Sequence, residues 1–191
     1  MDKNAINIYD LCRRGTRALG PGLRYAIWTQ GCLQRCEGCT TPESRPIVAR
    51  QLIPSSDLAE DIISRKDIEG ITLSGGEPFL QAGPLADMLS KVHEARPELD
   101  VIVFSGYPAE VLTWDDAKRL LAKTDVLIDG RFELENKTDR GLRGSSNQSI
   151  HFLTDRLLPW KDELENGSRI LEVFVKEDRR ITIGIPTDAI R

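Results

Sequence analysis

Residues 71–104 read ITLSGGEPFLQAGPLADMLSKVHEARPELDVIVF, and this stretch decides the fold class. It opens on a short run of β-formers, Ile71-Thr72-Leu73, that passes straight into Ser74-Gly75-Gly76-Glu77-Pro78. A helix follows, with Pro84 near its first turn and Leu85, Met88, Leu89 and Val92 on one face at spacings of three and four. Arg96-Pro97 ends it. Val101-Ile102-Val103-Phe104 is then apolar at every position, as in a strand buried on both sides of a parallel sheet. Strand, helix and strand in this order make a βαβ unit.

The alternation continues outward in both directions. Upstream, Arg24–Gln30 is rich in β-formers and ends at Gly31, and a helix is expected near Asp57–Arg65. Asp57 and Glu60 there suit a cap and first turn, while Leu58, Ala59, Ile62 and Ile63 form an apolar face. Downstream, Trp114, Ala117, Leu120 and Leu121 mark a third amphipathic helix, and Val126-Leu127-Ile128 a further strand ending at Asp129-Gly130. Residues 132–144 are polar and read as a long loop. Arg169–Lys176 and Arg179–Ile185 read as a β-hairpin about Glu177-Asp178.

A chain of 191 residues is shorter than the roughly 250 a closed eightfold barrel uses. The expected fold is therefore α/β, a partial, open parallel β/α barrel with a C-terminal β-hairpin extension. Its expected divisions are an N-terminal extension over 1–18, the barrel domain over 19–155, and a tail with the hairpin over 156–191, packed on the same domain.

With 40% hydrophobic and 29% charged residues and a net charge of −4, the composition is that of an ordinary globular protein. No basic stripe interleaved with aromatics marks a nucleic-acid partner. The polar start Met1-Asp2-Lys3-Asn4-Ala5 leads into no apolar segment of the secretory kind. Nor does any run approach the roughly 18 apolar residues of a membrane span. A cytoplasmic location is expected.

Three of the four cysteines fall in Cys32-Leu33-Gln34-Arg35-Cys36-Glu37-Gly38-Cys39, a CxxxCxxC loop directly after the first strand. Cys12 stands alone and reads as a small buried hydrophobe. In a reducing compartment clustered thiols are metal ligands or redox groups more often than disulfide partners. Structural zinc takes four ligands, and the two histidines, His93 and His151, read as ordinary structural or surface residues. Three thiolates suit a cubane iron–sulfur cluster whose fourth iron is left open. By spacing alone, zinc and a redox thiol remain alternatives. The glycine pair adds a second signal. It follows a strand directly, so it sits at the edge where ligands gather in parallel α/β folds. Paired glycines let backbone approach a ligand closely, with Glu77 fixing the loop.

Together the CxxxCxxC loop and Gly75-Gly76-Glu77-Pro78 resemble the radical S-adenosylmethionine superfamily. More narrowly, the sequence is similar to activating proteins of anaerobic ribonucleoside-triphosphate reductase. The likeness runs through Leu19–Arg24, Thr29–Cys32, Glu37–Glu43, Leu73–Pro78, Phe104–Tyr107, Val126–Phe132 and Arg143–Gln148, and so spans about residues 19–155. It implies the radical S-adenosylmethionine type of partial barrel, with a [4Fe–4S] cluster on Cys32, Cys36 and Cys39 and S-adenosylmethionine on the fourth iron. It further implies that Gly38, Cys39 and Thr40 line the cofactor by backbone, with Gly76 touching its methionine end and Ser74, Gly75 and Glu77 beside it in the cofactor-binding set. Ser105 and Asp129 become ribose or methionine contacts. Arg143 pairs with the cofactor carboxylate, with Asp129, or in a structural salt bridge.

The implied reaction is reductive cleavage to methionine and a 5′-deoxyadenosyl radical, which takes a hydrogen atom from a backbone glycine of a partner glycyl-radical enzyme. A flavodoxin or ferredoxin supplies the electron. Two departures stand out. Many activating proteins carry an aromatic residue and then Asn after the third cysteine, whereas Thr40 and Thr41 follow here. The segments before Leu19 and after Arg169 lie outside the best match and could serve a different partner. Two other readings stay open: the same radical chemistry on another protein, peptide or small molecule, and a non-enzymatic zinc- or cluster-bearing module.

Overall fold

The computed structural model describes residues 4–176 and 179–186. Four parallel strands form its centre: β2 (Arg24–Thr29), β4 (Gly70–Gly75), β5 (Asp100–Phe104) and β6 (Val126–Asp129). Three antiparallel strands extend this sheet. β1 (Ala5–Thr16) pairs with β2, β3 (Gln51–Pro54) with β1, and β7 (Ser149–Phe152) with β6. The order across the sheet is β3-β1-β2-β4-β5-β6-β7, so β3 and β7 are its edges. Helices α1 (Ser55–Ser64), α2 (Ala82–Ala95) and α3 (Asp115–Leu121) connect the parallel strands, and a short α4 (Lys161–Asn166) follows the sheet. The class is α/β with a parallel centre, as the βαβ pattern predicts.

Successive strand residues face opposite sides of a sheet, and both sides here are covered. Ile71, Leu73, Val101, Val103 and Leu127 pack against Leu58 and Ile62 of α1, Leu85, Met88, Leu89 and Val92 of α2, and Leu120 of α3. On the opposite side Ile102, Val126 and Ile128 pack with Leu142, Leu157 and Leu164. That two-sided burial is why the run 101–104 is apolar throughout. Each fully buried aliphatic side chain contributes about 1.5–3 kcal/mol.

Three strands escape the sequence reading. The longest, β1, lies within residues 1–18, so most of that extension is a strand of the central sheet. Ile6 and Ile8, both fully buried, alternate with Asn7 and Tyr9, a period-two signal that the charged residues after Tyr9 obscure. β3 and β7 are four residues each. Helix α1 begins at Ser55, immediately after Pro54, so Asp57 lies in the first turn and not at the cap. The C-terminal hairpin is present as β8 (Glu172–Lys176) paired antiparallel with β9 (Arg179–Ile183). Its expected turn, Glu177-Asp178, lies outside the described residues. Among the described residues no helix is long and apolar enough to cross a membrane.

Candidate cluster and cofactor site

The cysteine loop leaves β2 at the C-terminal edge of the parallel strands. Gly31 N–H donates to Ser44 O at 2.7 Å and Cys32 N–H to Arg45 O at 2.9 Å, closing residues 32–44 into a loop tied at its base. Cys32, Cys36 and Cys39 are half-buried within it and none is in a disulfide. Burial pushes the Cys32 thiol above its ordinary value. Cys12, by contrast, is buried on β1 with its Sγ 3.3 Å from Gly15 O, in the packing role its isolation predicts.

The glycine pair lies directly against the start of this loop. Gly76 N–H donates to Thr29 O at 2.8 Å, and Glu77 N–H to Gly31 O at 2.9 Å. Gly75 has a φ of 97°, and a Cβ there would stand 2.5 Å from Thr29 N. A Cβ on Gly76 would stand 2.3 Å from Gly31 O, inside any allowed contact. Both glycines are therefore required by the close approach of this turn to the root of the cysteine loop.

Glu77 is almost fully buried behind the turn. Its Oε1 accepts from Phe79 N–H and Ser105 Oγ, each at 3.0 Å, and its Oε2 from Gly106 N–H at 2.7 Å. It thus ties the end of β4 to the end of β5. Burial raises its carboxyl to about 7 against the pull of these three donors. The folded group holds its proton more tightly than the unfolded one. Its stabilising contribution is therefore complete below about pH 4.5 and lost as the pH rises through about 7. Between the metal-free chain and a Glu77→Gln variant, the stability difference should drift against the wild type by about 3 kcal/mol over that window. Urea unfolding at pH 4.5 and pH 8 tests this, and a difference that stays constant refutes it.

The remaining predicted site residues divide by position. Cys36, Cys39, Thr40, Ser74 and Gly75 line a cavity of about 940 Å³, together with Trp28 of β2 and Phe174 and Ile183 of the hairpin. Gly76, Glu77 and Ser105 form the hydrogen-bonded layer just described. Asp129 is buried; its Oδ2 accepts from Ala109 N–H at 2.5 Å, and its Oδ1 lies 3.1 Å from His151 Nε2. The Arg143 guanidinium is turned onto the carbonyls of Gln148 and Glu165, at 3.4 and 3.5 Å. Gln148 holds the loop after β6: its Oε1 accepts from Gly144 and Ser145 N–H at 2.8 and 3.1 Å, and its Nε2 donates to Gly130 O at 2.8 Å. Two residues outside the predicted site set, Phe132 and Leu134, lie 3.3 and 3.1 Å from where a Gly38 Cβ would be. They pack that part of the cysteine loop.

The donor set fits an iron–sulfur cluster: three free, half-buried thiols on one loop. The sulfurs are not gathered about a point, since among the described residues no three His, Cys, Asp or Glu side chains form a ready-made metal cage. Neither helix nor strand lies between Gly31 and Cys39, so converging the thiols asks for rotations within the loop and leaves the sheet as it is.

The family described as a 4Fe-4S single cluster domain matches residues 18–151. An anaerobic ribonucleoside-triphosphate reductase-activating protein of Enterobacteria phage T4 is 33% identical over 150 residues, covering 75% of this chain and 92% of the phage protein. The protein of that name from Escherichia coli K12 is 33% identical over 145 residues, covering 70% of this chain and 91% of its own. A pyruvate formate-lyase-activating enzyme of Listeria monocytogenes is 27% identical over 150 residues, 60% of its length. This chain belongs to the family of anaerobic ribonucleoside-triphosphate reductase-activating proteins.

Proposed function

We propose that the chain holds one [4Fe–4S] cluster on Cys32, Cys36 and Cys39 and uses S-adenosylmethionine to place a glycyl radical on an anaerobic ribonucleotide reductase. When bound, the cluster supplies one low-potential electron to the sulfonium, giving methionine and a 5′-deoxyadenosyl radical that leaves as 5′-deoxyadenosine once it has taken the glycine hydrogen. The observation that carries this reading is the contact between the root of the three-thiol loop and the Gly75-Gly76 turn, where Gly76 N–H reaches Thr29 O and Glu77 N–H reaches Gly31 O.

In this reading the sheet, β1 included, is the wall of a partial barrel, with the C-terminal hairpin across its open side. Gly38, Cys39 and Thr40 present backbone to the cofactor from one side, and Ser74, Gly75 and Gly76 from the other. Glu77 keeps the glycine turn in place from behind. Ser105 and Asp129, at the ends of β5 and β6, orient the ribose or methionine end, and Arg143 braces the loop that carries Gln148. A cavity walled by Trp28 and the hairpin keeps water from a reactive carbon radical. The electron comes from a flavodoxin or ferredoxin, and the reaction takes place in the cytoplasm.

The test uses reductase labelled with deuterium at its glycines. Reduced, reconstituted protein, S-adenosylmethionine and this partner should yield deuterated 5′-deoxyadenosine and a protein-centred radical visible by electron paramagnetic resonance. Unlabelled 5′-deoxyadenosine with no radical on the reductase would assign the chemistry to a different substrate.

A further inference from the structure

Asn7 lies on β1, outside both the cysteine loop and the Gly75-Gly76 turn, yet it commits every polar atom to the surroundings of the cysteine loop. Its side-chain Nδ2 donates to Val48 O at 2.7 Å, and its Oδ1 accepts from Arg50 N–H at 2.9 Å. Its backbone N–H donates to Gln81 Oε1 at 2.6 Å. Its backbone O accepts from Gln30 N–H at 2.8 Å and from Gln81 Nε2 at 3.0 Å.

Two further amides complete the arrangement. Gln81 Nε2 also donates to Gln30 O at 3.1 Å. Gln30 Nε2 donates to Pro46 O at 2.6 Å while its own Oε1, buried, has no partner. A side chain kept for packing alone would be apolar at such a position, because an orphaned buried acceptor is costly.

These contacts join three pieces of chain. Gln30 is the last residue before the turn into the cysteine loop. Residues 45–50 are the strap by which that loop returns to β3. Gln81 closes the turn that begins with the glycine pair (Pro78–Gln81 is a single 3₁₀ turn). We propose that Asn7, Gln30 and Gln81 form an amide clamp that sets the height and angle of the cysteine loop relative to the Gly75-Gly76 turn. The inference rests on the cluster reading above. All three are positioning residues: none is a ligand, and each acts through backbone it holds. Their neutrality suits that role. Amides supply donors and acceptors without adding a charge, and charge near an iron–sulfur cluster shifts its potential.

The test compares wild type with Asn7→Ala, with the near-isosteric Gln30→Met, and with Tyr25→Phe as a control. Tyr25 donates to Asp61 at 2.6 Å on the helix-covered side of the sheet, away from the loop. In the metal-free proteins, exchange of the Gly31 and Cys32 amides should quicken about tenfold in the first two variants and not in the control. Amides of β4 and β5 should be unchanged. In the reconstituted proteins both clamp variants should raise the KM for S-adenosylmethionine about tenfold with a smaller change in kcat. They should also weaken the change in the reduced cluster's paramagnetic spectrum on adding S-adenosylmethionine.

If Asn7→Ala does not fold, Gln30→Met decides. Clamp variants that match the control in both exchange and KM, at equal Tm, overturn the proposal. If the wild type itself takes up no iron, the cluster reading fails, and the exchange comparison alone then judges the clamp.

Discussion

Replacing Cys36 by alanine is expected to abolish both iron–sulfur uptake and formation of 5′-deoxyadenosine while leaving the metal-free fold intact. Cys36 is half-buried on a stretch without helix or strand, so its truncation removes little packing. Its thiolate, however, is one of only three on the loop, and a cubane that keeps one iron open for a substrate needs all three. Anaerobic reconstitution followed by iron and sulfide analysis should give about four irons per wild-type chain and almost none for the variant. Cys12→Ala is the matching control, because Cys12 sits in a packing cluster with Leu19 and Ala26 and should retain iron uptake. Equal iron in the two proteins, or zinc bound in its place, would refute a three-cysteine cluster.

The parallel centre is legible in the sequence because two-sided burial leaves a plain mark. Val101–Phe104 and Val126–Ile128 are apolar at every position, and the helices between strands keep a clear three-four spacing. The flanking strands leave no such mark. β1 carries Asp10, Arg13 and Arg14, and its pairing with β2 shifts register between Ile8 and Asp10 and again between Cys12 and Thr16. Each shift breaks the period-two pattern by which a strand is read. β3 and β7 are too short for any periodicity to emerge.

The site divides along the same line. Thiols and a glycine pair declare their chemistry by residue type and local spacing. Asn7 and Gln81 are 74 positions apart and Gln81 and Gln30 are 51 apart. An isolated Asn or Gln carries no signal of its own, so only the sheet order, which places β1 beside β2, reveals them as a group. Glu77 is intermediate. Its place in the glycine turn is legible, but its hold on Ser105 and Gly106 depends on β5 lying next to β4.

Arg24 gives the largest expected effect on stability. It opens β2 at the end away from the cysteine loop, and its side chain is fully buried. Nε donates to Thr72 Oγ1 at 2.8 Å, Nη1 to Pro21 O at 2.9 Å and Nη2 to Ile71 O at 2.8 Å. Nη2 also lies 2.6 Å from Asp100 Oδ1, a charge contact without hydrogen-bond alignment. Thr72 in turn donates to Leu19 O at 2.9 Å, so the guanidinium organises the whole Leu19–Pro21 turn. Its bulk also explains Gly70, where a Cβ would stand 2.5 Å from Arg24 Nη1.

Arg24→Met fills much of the same volume but strands a largely buried carboxylate and takes a donor from the carbonyls of Pro21, Ile71 and Asp100. Breaking a buried pair in this one-sided way costs about 3–5 kcal/mol, a large share of the roughly 5–15 kcal/mol that holds a domain together. Urea unfolding of the metal-free chain should show that loss. Adding Asp100→Asn should recover part of it by removing the unpaired charge, and only part, because the three carbonyls still lack the donors of the guanidinium. A loss below about 1 kcal/mol for the single variant would mean that water or a shifted backbone takes over the role of the guanidinium. Iron uptake by whatever fraction remains folded should equal that of the wild type. Arg24 and the cysteine loop lie at opposite ends of β2, and the amide clamp at the loop end makes no contact with Arg24.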